Sequence, residues 1–349
     1  MRLKNYSLEN PMTNKTNKPL SLCVIGGDGI GPEVVDQALR LLDATNLTYI
    51  KTTAEAGYAA YQKHGTPLPK RTIKLCREAD ATLFGAVTTP PNIDNYFSPI
   101  VRLRKELGLY ANVRPFISLP IANSQPNIDF VIVRENTEDL YCGREHVTPE
   151  GAIAERVITI EASKNIIEYA FKLAQKQNRK IVTVVHKANV LRITDGLFLK
   201  IAQEVSQNYP KIELRDMLVD ACAMQLIKNP SQFEIIVTTN MFGDILSDEA
   251  AALVGGLGTA SSANIGNNAS LFEPIHGSAP KYINTNKANP LATFYALCLL
   301  LEHTGYENTS QNIKQAILEA LKAGETTKDL GGNLLMSEFT DAVINRLGK

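Results

Sequence analysis

With 349 residues the chain can bury a large core, and because single cores stop growing near this size it divides most simply into two domains. Lysine plus arginine equals aspartate plus glutamate at 36 each, with no long single-sign block, which excludes the broad electrostatic attraction of a non-specific nucleic-acid binder. Cys23, Cys76, Cys142, Cys222 and Cys298 are scattered without a C-x-x-C pair, so neither a zinc knuckle nor a disulfide framework is indicated, and a reducing cytoplasm fits.

The first twenty residues are polar and lack the apolar stretch of a signal peptide, so 1–20 read as a flexible extension. No later run reaches membrane-spanning length. "LSLCVIGGDGIGPEVVDQALRLLDA" is an apolar strand, a glycine-rich turn and a helix with Val34, Leu39 and Leu42 on one side. "ATLFGAV", "FVIVRENT", "KIVTVVHKAN" and "EIIVTTNMFGD" repeat the theme, each an apolar strand ending in polar residues. Together with amphipathic helices such as "ASKNIIEYAFKLAQKQ" they indicate an α/β protein. Ligands of open α/β sheets gather beyond the carboxyl ends of strands, which here carry Thr88 and Thr89, Arg134 and Glu135, His186 and Lys187, and Asn240 and Asp244. "NVRPFISLPIANSQPN", with Pro115, Pro120 and Pro126, reads as a crossing between domains, and "GGLGTASS" as the return.

"GGDGIGPE" follows a strand and opens a helix, yet Gly27, Gly29 and Gly31 do not match the dinucleotide fingerprint. A tight turn with Pro32 at the helix start accounts for it equally well. In "NMFGDILSDEAA", Asp244 and Asp248 lie four apart and share a helix face. They either cap and favour the helix start or hold an oxygen-seeking cation, Mg²⁺ or Mn²⁺; Asp220, ending an apolar run, adds weight to the metal. Arg104, Arg114 and Arg134 either form ion pairs or grip a substrate with several carboxylates. Tyr141 and Lys187 move protons where neighbours shift them; otherwise they are a half-buried aromatic and a surface charge.

These residues lie in an ordered series of motifs: "GDGIGPE", "LRKELGLYANVRP", "RENTEDLY", "HKANVLRITDGLF", "NMFGDILSDEAA", "GGLGTASSANIG" and "EPIHGSAPKY". From about Leu22 onward the chain resembles the metal-dependent β-decarboxylating dehydrogenases that act on isocitrate, homoisocitrate, 3-isopropylmalate and tartrate. The resemblance implies a two-domain fold that is not a classical Rossmann fold, with the active-site cleft between a large cofactor-binding domain (21–117 and 254–349) and a small dimerisation and catalytic domain (118–253). It implies a cytoplasmic homodimer or higher oligomer with shared active sites, Lys187 and Asp220 entering from the partner. Ser98, Arg104, Arg114 and Arg134 would hold substrate, and Asp220, Asp244 and Asp248 would hold Mg²⁺ or Mn²⁺. The catalytic set would be Tyr141, Lys187 and Asp220. In the chemistry the resemblance implies, a base system including Lys187 would remove the proton of a hydroxyl made acidic by the metal, hydride would pass to the nicotinamide, CO₂ would leave, and Tyr141 would assist protonation of the enol.

The cofactor would lie on Thr88, Asn189, Glu273, His276, Gly277, Lys281, Tyr282 and Asn289. Lys281 and Tyr282 stand where NAD-dependent members carry Asp-Ile, and a lysine cannot accept ribose hydrogen bonds, so they lean toward NADP⁺. Ala288, Lys328 and Gly332 are NAD-type choices, which predicts that both cofactors are accepted. On the substrate helix Ser98 matches isocitrate enzymes while Ile100 replaces their Asn, Phe97 replaces the Glu of isopropylmalate enzymes while Ile100 and Val101 could still receive an apolar group, and "SPIV" before "LR" most resembles homoisocitrate dehydrogenases. The expected substrate is therefore homoisocitrate or isocitrate, with 3-isopropylmalate as the alternative. A non-catalytic regulatory subunit is the alternative of another class, and the presence of Tyr141, Lys187, Asp220, Asp244 and Asp248 counts against it.

Overall fold

The computed structural model describes residues 18–90, 93 and 96–348. Nearly all of the expected extension at 1–20 lies outside the described residues, and the first strand starts at Leu20. The strands are β1 (Leu20–Gly27), β2 (Tyr49–Thr53), β3 (Ala81–Ala86), β4 (Ala111–Ile117), β5 (Asp129–Glu135), β6 (Glu145–Thr148), β7 (Gly151–Ala154), β8 (Ile181–His186), β9 (Glu213–Leu218), β10 (Ile235–Thr238), β11 (Ser261–Ile265) and β12 (Ser270–Pro274). Between them run α1 (Gly31–Asp43), α2 (Tyr58–His64), α3 (Lys70–Glu78), α4 (Pro99–Glu106), α5 (Ile160–Lys176), α6 (Thr194–Ser206), α7 (Val219–Lys228) and α8 (Asn240–Leu253). The chain ends in α9 (Leu291–His303), α10 (Glu307–Lys322) and α11 (Met336–Ile344).

A ten-stranded sheet runs in the order β2-β1-β3-β12-β11-β4-β5-β10-β8-β9. β2, β1, β3 and β12 are parallel, as are β5, β10, β8 and β9. The antiparallel ladders β12·β11, β11·β4 and β4·β5 join the two blocks. The inner parallel strands are mostly buried apolar runs, as strands covered on both faces must be; β3 and β10 are buried at every position, whereas the edge strands β2 and β9 are largely exposed. α9 is buried almost all round and packs on β12 and β11, whereas α5 lays Ile166, Ile167, Ala170, Phe171 and Leu173 inward and is capped by Thr159, whose hydroxyl accepts the amide of Ala162.

Two features depart from the sequence pattern. The proline-rich stretch at 112–127 begins inside a strand: Pro115 lies in β4, where β11 pairs only with residues 111–113; beyond that point one flank of β4 is free of the ladder, and a strand tolerates proline there. The strand ends do not converge either. Three antiparallel ladders between the blocks turn them in opposite senses, so Thr88 leaves β3 at the opposite edge of the sheet from Arg134, Lys187 and Asn240. β6 and β7 form a separate antiparallel hairpin, exposed along nearly its whole length, which no sequence pattern had indicated. Among the described residues no helix is long and apolar enough to cross a membrane.

Candidate functional site

On the face of the sheet over the antiparallel seam, cross-strand pairs place polar side chains in a row. Asn112 faces both Arg134 and Asn264, Arg114 faces Ile132, and Ser262 faces Glu273. Asn112, Ser262 and Asn264 are completely buried, so each must find partners. Asn112 donates to Asn264 (2.8 Å), and Asn264 donates to Glu273 (2.8 Å). These three residues were missed by the sequence reading; the available signal was the concentration of polar side chains in β4 and β11 between apolar neighbours.

The row supports three buried arginines. Arg104, from α4, donates to Glu273 at 2.9 Å. Arg114, from β4, donates to Asn112 (2.7 Å) and Ser247 (2.6 Å), and its other nitrogens lie 3.7 Å from Asp244 and 3.6 Å from Asp248. Arg134, from β5, donates to Asn240 and to Asp244 and stacks over the Tyr141 ring, 5.1 Å from its centroid. Gly243 makes this possible, because a β-carbon there would meet Arg134 Cγ at 2.5 Å. Burial and mutual proximity press against the charges of Arg114 and Arg134, so the site favours anions.

Asp244 and Asp248 project from one face of α8 into this cluster. Burial opposes the charge of Asp244, but Arg134, the Tyr141 hydroxyl, Arg114 and Arg104 outweigh it and hold the carboxyl below its ordinary value. Asp248 goes the other way, raised by burial and by Asp244 against the pull of Arg114. Asp248 is thus short of positive charge, one helical turn from a second carboxylate, and all donors are oxygen. That set fits Mg²⁺ or Mn²⁺. Tyr141, on the 3₁₀ turn Leu140–Cys142, donates its hydroxyl to Asp244, and burial followed by that bond raises its pKa. It is a neutral phenol with a proton to give.

Ser98 precedes α4 without capping it, leaving its hydroxyl available to a ligand. A cavity of about 180 Å³ opens beside the arginines, with Ile100, Arg104, Arg114, Glu273, His276 and Gly277 in its wall. Burial lowers the His276 pKa, which keeps the ring neutral.

Lys187 and Asp220 stand apart from this cluster. Their side chains pair at 2.5 Å, with Asp220 65 % exposed, and Asn189 is exposed in the turn after Lys187. Among the described residues no three His, Cys, Asp or Glu side chains gather to hold a metal within one chain, so Asp220 does not complete the Asp244 and Asp248 pair in its own chain.

The cofactor residues are divided too. The "GGDGIG" turn is joined to the 276–279 loop by Ile30 N–H donating to Ser278 O (2.9 Å), and Thr88 pairs its hydroxyl with that of Ser278 at 2.7 Å. Asp28 accepts the amides of Thr88, Tyr58 and Ala59 and fixes the neighbourhood. Lys281 and Tyr282 sit exposed on the 3₁₀ turn Pro280–Tyr282. Asn289 is held in place from two sides: its amide donates to Asp329 (2.9 Å) and its oxygen accepts Leu291 N–H at the start of α9. Glu273 is held by Arg104 and Asn264 as described. Gly332 has no room for a side chain, since a β-carbon would lie 2.0 Å from the Thr326 carbonyl oxygen.

Residues 21–343 match the family model described as isocitrate/isopropylmalate dehydrogenase. The chain is 48 % identical over 343 residues to a homoisocitrate dehydrogenase of Methanocaldococcus jannaschii, covering 95 % of this chain and 98 % of that protein. It is 49 % identical over 331 residues to a 3-isopropylmalate dehydrogenase of Methanothermobacter thermautotrophicus, covering 95 % and 99 %. Among solved structures, an isocitrate dehydrogenase from Methylococcus capsulatus superposes with a TM-score of 0.92 at 43 % identity, covering 95 % of this chain and all of that one.

Proposed function

The chain belongs to the isocitrate/isopropylmalate dehydrogenase family, whose members are oxidatively decarboxylating dehydrogenases, and from that premise we propose that it converts homoisocitrate or isocitrate to the 2-oxo acid and CO₂ with NAD⁺ or NADP⁺. The observation that carries the substrate class is the charge count. Three buried guanidiniums face Glu273, Asp244 and Asp248, so a divalent cation at the aspartates leaves two positive charges that a polycarboxylate neutralises.

In this reading Arg104, Arg114, Arg134 and Ser98 grip and orient the substrate carboxylates, and Asp244 and Asp248 of one chain with Asp220 of a second hold Mg²⁺ or Mn²⁺. Mg²⁺ or Mn²⁺ held there would supply Lewis acidity toward the substrate hydroxyl, and a nicotinamide cofactor would supply the hydride acceptor. Lys187 belongs to the base that removes the hydroxyl proton, and Tyr141, a neutral donor beside Asp244, returns one to the enol. Thr88, Asn189, Glu273, His276, Gly277, Lys281, Tyr282 and Asn289 contribute to the cofactor side.

A second copy is needed for Lys187 and Asp220 to meet Asp244. Support comes from the exposed apolar residues Val190, Ile193, Met224, Ile227 and Ile245, which surround Lys187 and line α7 and α8, and from the β6·β7 hairpin, which a two-stranded ribbon cannot sustain alone. We assign 21–117 with 254–349 to a large domain and 118–253 to a small one, sharing the continuous sheet. A cytoplasmic site suits the five free cysteines.

3-Isopropylmalate is the second reading, favoured by Ile100 and Val87 in the cavity wall, which offer an apolar seat where a third carboxylate would otherwise lie. The test is nicotinamide reduction by the purified chain with Mn²⁺, comparing kcat/KM for the three acids, each with NAD⁺ and NADP⁺. The expected result is turnover fastest with a tricarboxylate. Preference for isopropylmalate would replace that substrate, and no turnover with any acid would return the regulatory-subunit reading.

A further inference from the structure

Arg156 lies between the β6·β7 hairpin and α5, outside every motif, with its side chain only 13 % exposed. Its guanidinium binds two carboxylates that are themselves completely buried. Nε donates to Asp139 at 2.7 Å, and Nη1 donates to Asp195. The remaining donors reach Thr239 Oγ1 (2.9 Å) and Thr194 Oγ1 (3.3 Å), and the plane stacks 5.0 Å from the Phe242 centroid.

The far sides of these carboxylates hold backbone at three functional segments. Asp139 accepts the amide of Leu140 at 2.9 Å, beside Tyr141, and the amide of Met241 at 3.1 Å, in the first turn of α8 ahead of Asp244. Asp195 accepts the amide of Lys187 at 2.6 Å. Asp139 itself sits at φ 68°, ψ −147°, a conformation that L residues avoid and that persists only where surroundings over-determine it. One buried cation therefore compensates both anions that fix the Tyr141 turn, the Asp244 helix and the Lys187 loop.

We propose that Arg156 is a positioning residue that keeps the two half-sites of one protomer in register, the half built on Tyr141 and Asp244 and the half built on Lys187 that is offered to the partner. The half-site assignment rests on the shared-site reading above; the hydrogen-bond hub does not. A lysine keeps the charge but cannot make the fork that reaches two carboxylates and two hydroxyls.

The experiment uses the full-length dimer. Mixed dimers combine a Tyr141→Phe chain with a Lys187→Met chain, leaving one working site whose two halves come from different chains. Arg156→Lys is then placed on one chain at a time. Either placement is expected to lower kcat about 10- to 100-fold, the cost of a misplacement near 1 Å, with KM for the acid changed less than about twofold. A fall from only one placement, or none, overturns the two-sided role. Asp195→Asn, which keeps an acceptor for Lys187 N–H, serves as a second variant if Arg156→Lys folds poorly, and should act only on the chain that donates Lys187. Amide hydrogen exchange supplies a readout independent of turnover. Arg156→Lys should speed exchange at Leu140, Lys187 and Met241 while α9 keeps its protection. Unchanged exchange at those three amides overturns the proposal even if none of the tested acids is a substrate.

Discussion

Lys281 has no side-chain partner among the described residues and stands exposed on its 3₁₀ turn, so its charge is free to meet a phosphate. Replacing it by aspartate is expected to shift the ratio of kcat/KM for NAD⁺ over NADP⁺ by about tenfold or more toward NAD⁺, the low end of a charge-assisted hydrogen bond; an unshifted ratio would remove the phosphate contact. Opposing it, Gly332 has no room for a side chain against the Thr326 carbonyl, so this loop as it stands cannot carry an arginine there. At this scale the chemistry-bearing side chains were legible because arginines are rare in apolar strands and two carboxylates four apart share a helix face: Arg114, Arg134 and the Asp244, Asp248 pair all fall in one cluster. Arg156 escaped notice because a lone arginine between two elements looks like a solvated charge until its two partners, 17 and 39 residues away, are folded around it. The bond from Asn289 to Asp329 was hidden for the same reason, since its partner arrives from 40 residues further on.

At the scale of elements, α7 presents Met224 and Ile227 to solvent, each at least half exposed, beside Lys187 and Asp220. An Ile227→Asp chain is expected to sediment as a folded monomer and to lose turnover at least about 100-fold, although every catalytic residue is intact. A fully active monomer would sink the shared site, and an unaltered dimer would move the interface elsewhere. β1, β3, β5, β8 and β10 were legible as continuous apolar runs and α1 and α5 from their periodicity, whereas the exposed edge strands β2 and β9 carry no such run. β4 was not, because three prolines in sixteen residues signal a loop, and only the short reach of β11 along its flank lets Pro115 sit in a strand. The β6·β7 hairpin was hidden by its exposure: with both faces outside the core it carries no alternating pattern to read.

At the scale of the whole molecule, stability carries the imprint of Glu138. Burial, reinforced by Glu135 and Asp139 and opposed by bonds from Thr159, pushes its carboxyl up to about 7. Because the folded value is raised, its stabilising contribution is full below the ordinary glutamate range and is lost as pH rises through about 7. Between pH 5.5 and 8 the native chain should therefore lose on the order of 2 kcal/mol more unfolding free energy than a Glu138→Gln chain, as read by urea denaturation; equal losses would show that the carboxyl is not strained. The two-domain expectation came from chain length and glycine-rich crossings, which count residues but not strand senses, so the reversal between the two parallel blocks had no counterpart in the sequence. The strand order also bears on how the protein is made. β3 and β4 each keep a bare edge until β12 and β11 arrive, about 180 and 140 residues later. At roughly 5–20 residues per second on the ribosome, those edges stay open for on the order of ten to forty seconds, and the nascent chain, more than the finished enzyme, is the form exposed to aggregation.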